Sequence, residues 1–322
     1  MSTEETELLA RLDHPEVEQR QLALMALEEV ASLAAVERLV VAVSDQDATV
    51  RRLAVSLLED LGDGRAAPAL IAALEDGDPA VREAAGSALR EMRDARAAEA
   101  LLRAARHPSP AVRRAVIVAL RELREARALA PLIEALGDEV AEVRREAVVS
   151  LAYLREARAL PALRAAVRDG DARVRRLALG ALASVGSPAT GDGDSGGEIA
   201  AALRDSDWQV RAEAAIVLGR IGLRAAAPAL VAALGDDFWQ VRKEAVVALG
   251  KLGAAAAPPA ATPALIALLR GDNADLRKVA AVALGDLGAR QAVAALQVCL
   301  GDADAEVKKA AGRALAVLQE SV

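Results

Sequence analysis

A chain of 322 residues with 54% hydrophobic and 27% charged content can bury a large core and falls outside the disordered class. Its 40 Lys+Arg against 47 Asp+Glu leave a net charge of −7, which argues against a nucleic-acid binder. No run approaches the ~18 apolar residues of a membrane span, and 1% aromatics among Ala-rich stretches leave little material for strands.

The first twenty residues, "MSTEETELLARLDHPEVEQR", are acidic and mixed where a signal peptide is basic and then apolar, so the cytoplasm is the expected location. At "QRQLALMALEEV" a repeat begins, and it recurs as "VRRLAVSLLEDL", "VREAAGSALREM", "VRRAVIVALREL", "VRREAVVSLAYL" and "VRRLALGALASV". An arginine stands at 20, 51, 82, 113, 144 and 175, each 31 after the last. Such a period signals a repeat architecture. Each unit predicts two helices. The shorter comes first, as in "APALIAAL", with Pro68 or Pro161 near its start, where a missing N–H costs least. The second follows a capping Asp (Asp47, Asp78, Asp171) and ends at a glycine such as Gly62.

After the sixth unit the interval lengthens to 36 residues, from Arg175 to Arg211, and the extra residues hold "GSPATGDGDSGGE". "GDSGG" surrounds the nucleophilic serine of chymotrypsin-like proteases. A serine nucleophile needs a base, and the only histidines, His14 and His107, both sit in His-Pro turns, so Ser195 is expected in a loop insert near 186–197, not in a catalytic site. The spacing of Asp192, Asp194 and Glu198 also departs from a calcium loop.

Units seven and eight, "VRAEAAIVLGRI" and "VRKEAVVALGKL", restore the 31-residue step; Asp207 is a cap and Gly222 and Gly253 are stop signals. In the eighth, Val241, Ala245, Ala248, Leu249 and Leu252 form one apolar stripe. A second insert, "GAAAAPPAATP", near 254–263, precedes "LRKVAAVALGDL" and "VKKAAGRALAVL", with Asp304 capping, Gly288 stopping, and Cys299 as a buried small hydrophobe.

The "DxxVRxxAxxALGxLG" units resemble the short bacterial HEAT-like repeats first associated with phycobilisome lyases, over about residues 10 to 320. The resemblance implies an all-α, armadillo-like α-solenoid: a right-handed α-α superhelix of about ten helix pairs, forming a single domain over 1–322. It further implies that second helices line a concave side and that Arg51, Arg82, Arg113, Arg144, Arg175, Arg211, Arg242 and Arg277 form a ladder with acids of neighbouring units, Asp47, Asp78, Asp171, Asp207 and Asp304 among them. Ser109, Val140 and Phe238 should interrupt it.

On the exposed side of the second helices, the position after each ladder arginine is mostly basic, including Arg114, Arg145, Arg176 and Lys243, although Ala212 also falls there. Four residues on, Val118, Val149, Ile216, Val247 and Val282 make an apolar row. The four aromatics, Tyr153, Trp208, Phe238 and Trp239, lie off the buried stripe, where such residues serve as interface anchors. Together these positions predict a non-catalytic scaffold or adaptor holding another protein in its groove. No cofactor, metal, nucleic acid or small molecule is expected. The alternative is a lyase or cofactor-maturation subunit of the bilin-lyase type, acting with a second chain. The His-Glu pairs of di-iron HEAT-repeat hydroxylases are missing, since no "HE" dipeptide occurs.

Overall fold

An aspartate that stands three residues before a valine, with apolar residues then recurring at helical spacing, fixes both the start and the buried face of a helix. The computed structural model describes residues 2–185, 195–253 and 259–320, and all of its elements are helical. Two compact units result, Met1–Glu156 and Ala157–Val322.

The first unit holds α1 (Thr3–Ala10), α2 (Val17–Leu27), α3 (Val36–Ala42), α4 (Ala48–Leu61), α5 (Ala67–Ala73), α6 (Pro79–Glu91), α7 (Ala98–Ala104), α8 (Pro110–Glu122), α9 (Leu129–Ala135) and α10 (Ala141–Leu154). The second holds α11 (Leu160–Ala166), α12 (Ala172–Val185), α13 (Ser195–Ala201), α14 (Trp208–Ile221), α15 (Ala227–Ala233), α16 (Trp239–Leu252), α17 (Ala261–Leu268), α18 (Ala274–Asp286), α19 (Val293–Cys299) and α20 (Ala305–Glu320). Odd-numbered helices are the short first members of each pair and even-numbered helices the second. Within each unit successive second helices pack side by side, α4 on α6 and α6 on α8 in one, α14 on α16 and α16 on α18 in the other. This is an α-solenoid of helix pairs.

The expected caps form: Asp47 accepts from the Val50 N–H, Asp78 from Ala80 and Val81, Asp171 from Val174, Asp207 from Gln209 and Val210, and Asp304 from Glu306 and Val307. Each first helix of the first unit after α1 contributes one fully buried leucine, Leu39, Leu70, Leu101 and Leu132, and each such burial contributes about 1.5–3 kcal/mol. The stripe of Val241, Ala245, Ala248, Leu249 and Leu252 is buried as expected. Val246 is buried beside it, because a second helix is flanked on both sides and needs a wider apolar face.

The expected stop glycines Gly62, Gly222, Gly253 and Gly288 all have positive φ. Arg124 and Arg155 occupy the same left-handed position at φ 55° and 53°, where a β-carbon is crowded. Arg155→Gly should therefore stabilise the protein by about 1 kcal/mol, read as a rise in the urea midpoint.

Residues 186–194 and 254–258 lie outside the described residues, but Ser195, Gly196 and Gly197, expected in the loop, open α13, and Ala261 already begins α17. The glycines resemble a turn locally. Tertiary packing overrides them at Gly196, where a Cβ would lie 2.7 Å from a Leu223 methyl.

The glycine that follows the stripe leucine, in "VLG" at Gly219 and "ALG" at Gly250, has a role that periodicity does not disclose. A Cβ on Gly219 would lie 2.8 Å from Ala248 Cα, so α14 and α16 approach closely there; at Gly250 the corresponding distance to Ala283 is 3.4 Å. Gly219→Ala should cost about 1–2 kcal/mol, because overpacking against backbone outweighs the gain in helix propensity. Gly250→Ala should be neutral or slightly stabilising in the same urea titration.

Candidate partner-binding surfaces

A ladder arginine lies one turn inside a second helix, so its guanidinium reaches the loop before that helix and, where an aspartate waits there, the loop of the next pair. Arg51 Nη1 takes the carbonyls of Asp45 and Gln46, while Nε and Nη2 grip both oxygens of Asp76 at 2.7 Å. Arg20–Asp45, Arg113–Asp138, Arg175–Asp205, Arg211–Asp236 and Arg277–Asp302 repeat this fork within their units. The partner is thus not the capping aspartate that the resemblance implied but the one two residues earlier. The cap's own oxygens are spent on helix N–H groups, whereas the earlier carboxylate faces the preceding arginine and also accepts the N–H of the cap residue, as Asp76 does from Asp78.

The interruptions move accordingly. Ser109, Val140 and Phe238 remove only a side-chain cap. Arg113 still grips Asp138 and Arg211 still grips Asp236, two residues before the capless Val140 and Phe238. The ladder carboxylate itself is replaced by His107 for Arg82 and by Gly271 for Arg242, and among the described residues both arginines keep only loop carbonyls. His107 and His14 occupy ladder-aspartate positions and imitate one aspartate bond, Nδ1 accepting from Ser109 N at 3.2 Å and from Glu16 N at 3.1 Å.

The Arg51 guanidinium holds the Asp76 carboxyl below the usual range, and Arg277, helped by the Asp304 N–H, holds Asp302 down to about 2. Folded carboxyls depressed in this way stabilise the protein above the unfolded carboxyl range and lose that contribution as pH falls through their folded values. The melting temperature should therefore drop between about pH 4 and 2, a titration that scanning calorimetry can follow.

A second row of acids went unread in the sequence. Asp63, Asp94 and Glu125, 31 apart, sit where a second helix turns into the next first helix, and each accepts the backbone N–H two residues on. Asp63 is 1% exposed and is held by Arg65 and, from the next pair, Arg96. Their spacing was the available signal.

The expected interface residues fall into two groups. In the first unit Arg114 is exposed, Val118 and Val149 are half-buried, Arg145 pairs with Glu142 at 2.8 Å, and Tyr153 is exposed beneath Arg124, 5.7 Å from its ring centre. Arg114 and Val118 line one cavity of about 430 Å³. In the second unit Ile216 and Val282 are exposed, Val247 is half-buried, Arg176 reaches Gln209, and half-exposed Lys243 sits 3.9 Å from Glu244. Ala212 is buried, so the row after the ladder arginine turns inward there.

Trp208 and Trp239 are both half-buried at the first positions of α14 and α16. The ring stacked on Trp208, however, belongs to Phe238: centroids are 5.5 Å apart and the planes differ by 8°. Phe238 replaces a capping aspartate, leaving its ring free to lie over the preceding helix start, with Arg211 5.6 Å from its centre. The stack stays open to solvent, Phe238 being 42% exposed.

Among the described residues no group of three or more His, Cys, Asp or Glu could hold a metal ion, and no helix is long and apolar enough to cross a membrane. Burial raises the Cys299 thiol above its ordinary range.

No curated protein matches the chain. Among solved structures it is similar to an engineered protein (23% identity, TM-score 0.58, 99% of both chains). It also resembles Kap95p bound to RanGDP (16%, TM-score 0.65, all of this chain and 51% of that one) and a Kap121p mutant (14%, TM-score 0.71, 99% and 42%). The chain thus spans about half the length of these karyopherins, and at such identities the likeness is one of fold. The model of HEAT repeats matches residues 5–78, 67–152, 130–192, 198–275 and 262–321, and the chain belongs to the HEAT-repeat family.

Proposed function

We propose that this chain is a non-catalytic scaffold or adaptor built of short, phycobilisome-lyase-type HEAT-like repeats, which holds another protein along its second helices. The observation that carries the reading is the open Trp208–Phe238 stack, with exposed Ile216 and Val282 on the second helices of the same unit. Rigid aromatic surface of this kind supplies contact area at low entropic cost. Kap95p, which shares the fold, is found in complexes with RanGDP and with Nup1. In the same proposal the cytoplasm suits the single buried thiol. Affinity capture from the native cell followed by mass spectrometry tests the reading. One protein should be enriched with the parent chain and depleted with Trp208→Ala/Phe238→Ala; equal recovery on both baits would remove the aromatic stack from the interface.

A further inference from the structure

Eight of the ten second helices carry a buried side chain at the same position of the repeat, Leu24, Val55, Ile117, Val148, Leu179, Ala215, Val246 and Ala281, and the last helix has Gly312 there. At the third second helix this residue is Gly86, and a Cβ built there would meet only a Leu74 methyl, at 3.8 Å. A missing side chain in mid-helix weakens the helix and leaves a hole. The hole opens into the 430 Å³ cavity between α6 and α8, floored by Leu74, Ala111, Ala115 and Val118.

The rim is cationic for a separate reason. Because His107 replaces the ladder aspartate, Arg82 forms no ion pair among the described residues; it spends Nη1 on the carbonyls of Asp76 and Gly77. Arg90 and Arg114 also line the rim without an ion pair among the described residues. Of the two rim carboxylates, Glu146 is already bonded to Arg121 at 3.3 Å, and Glu83 is exposed. Three guanidiniums around an apolar slot complement a carboxylate-bearing chain with an aliphatic side chain between its charges.

We infer that this cavity is a docking site for an acidic peptide segment of a partner protein, its carboxylates on Arg82, Arg90 and Arg114 and an aliphatic side chain in the space left by Gly86. This deepens the scaffold reading and rests on it. Fluorescence polarisation with a labelled eight-residue peptide of alternating Glu and Leu tests it on the full chain. Saturable binding is expected, weakened at least about tenfold by Arg114→Glu and by Gly86→Val. Gly86→Val restores the side-chain type of neighbouring units, so its melting temperature should equal or exceed the parent's, which separates a filled pocket from a damaged fold. Unchanged affinity in Gly86→Val, equal binding of a Lys–Leu peptide, or a single-stranded oligonucleotide bound with the same sensitivity to Gly86→Val would each overturn the proposal. If Gly86→Val still captures the native partner while Trp208→Ala/Phe238→Ala does not, the acidic-peptide site fails and the scaffold reading stands. Capture of no protein by the parent chain sinks the scaffold reading itself.

Discussion

Arg211→Ala should destabilise the protein by about 3–5 kcal/mol, the cost of leaving a mostly buried carboxylate without its cation. Arg211 and Asp236 are joined by two charged bonds of 2.7 and 2.9 Å, and their side chains are only 13% and 10% exposed. The same guanidinium satisfies the carbonyls of Asp205 and Ser206. Without it Asp236 keeps the Phe238 N–H alone among these partners. Arg242→Ala is the internal control: it loses the carbonyls of Asp236 and Asp237 but no carboxylate, since Gly271 stands where the aspartate would be. It should cost about 1–2 kcal/mol. Urea titration of the two variants measures the difference, and equal losses would show that the fork contributes nothing beyond its carbonyl bonds. Because repeat stability is a sum of unit and neighbour terms, the loss belongs to the joint between α14 and α16.

Replacing both Trp208 and Phe238 with alanine should weaken binding of the captured partner by about 2–4 kcal/mol, some thirtyfold to a thousandfold, while the melting temperature falls by only a few degrees. The two rings stack on each other at the surface, outside the stripe of Val210, Ala214 and Leu218 that holds α14 in place. Their mutual contact contributes about 0.5–1.5 kcal/mol to the fold, which sets the size of the thermal effect. Trp239→Ala alone should have a smaller effect on affinity, because no ring stacks on Trp239 among the described residues. A large thermal shift with unchanged affinity would make the stack a structural clasp between neighbouring helix pairs.

The sequence by itself determined the period, the helix pairs and their caps, because those depend on residues near one another: Asp207 reaches Val210 three residues on, and Gly222 closes its helix through its own φ. It also showed where the rare aromatics and the apolar row fall relative to the buried stripe. Which aspartate meets which arginine was decided only in the tertiary structure. Asp45 and Asp47 stand two residues apart in the same loop, and only the stacking of one pair on the next shows that Asp45 faces Arg20 while Asp47 turns into its helix. The same holds for Trp208 finding Phe238 in place of its repeat-equivalent Trp239, and for "GDSGG", which ends in α13 because Gly196 packs against Leu223. Gly86 is one more small residue in an Ala-rich helix until its neighbours show the space it leaves beside three arginines. Local propensity is written along the chain, whereas contacts between pairs depend on distances that 31-residue periodicity leaves open by two or three residues, enough to exchange one side chain for another.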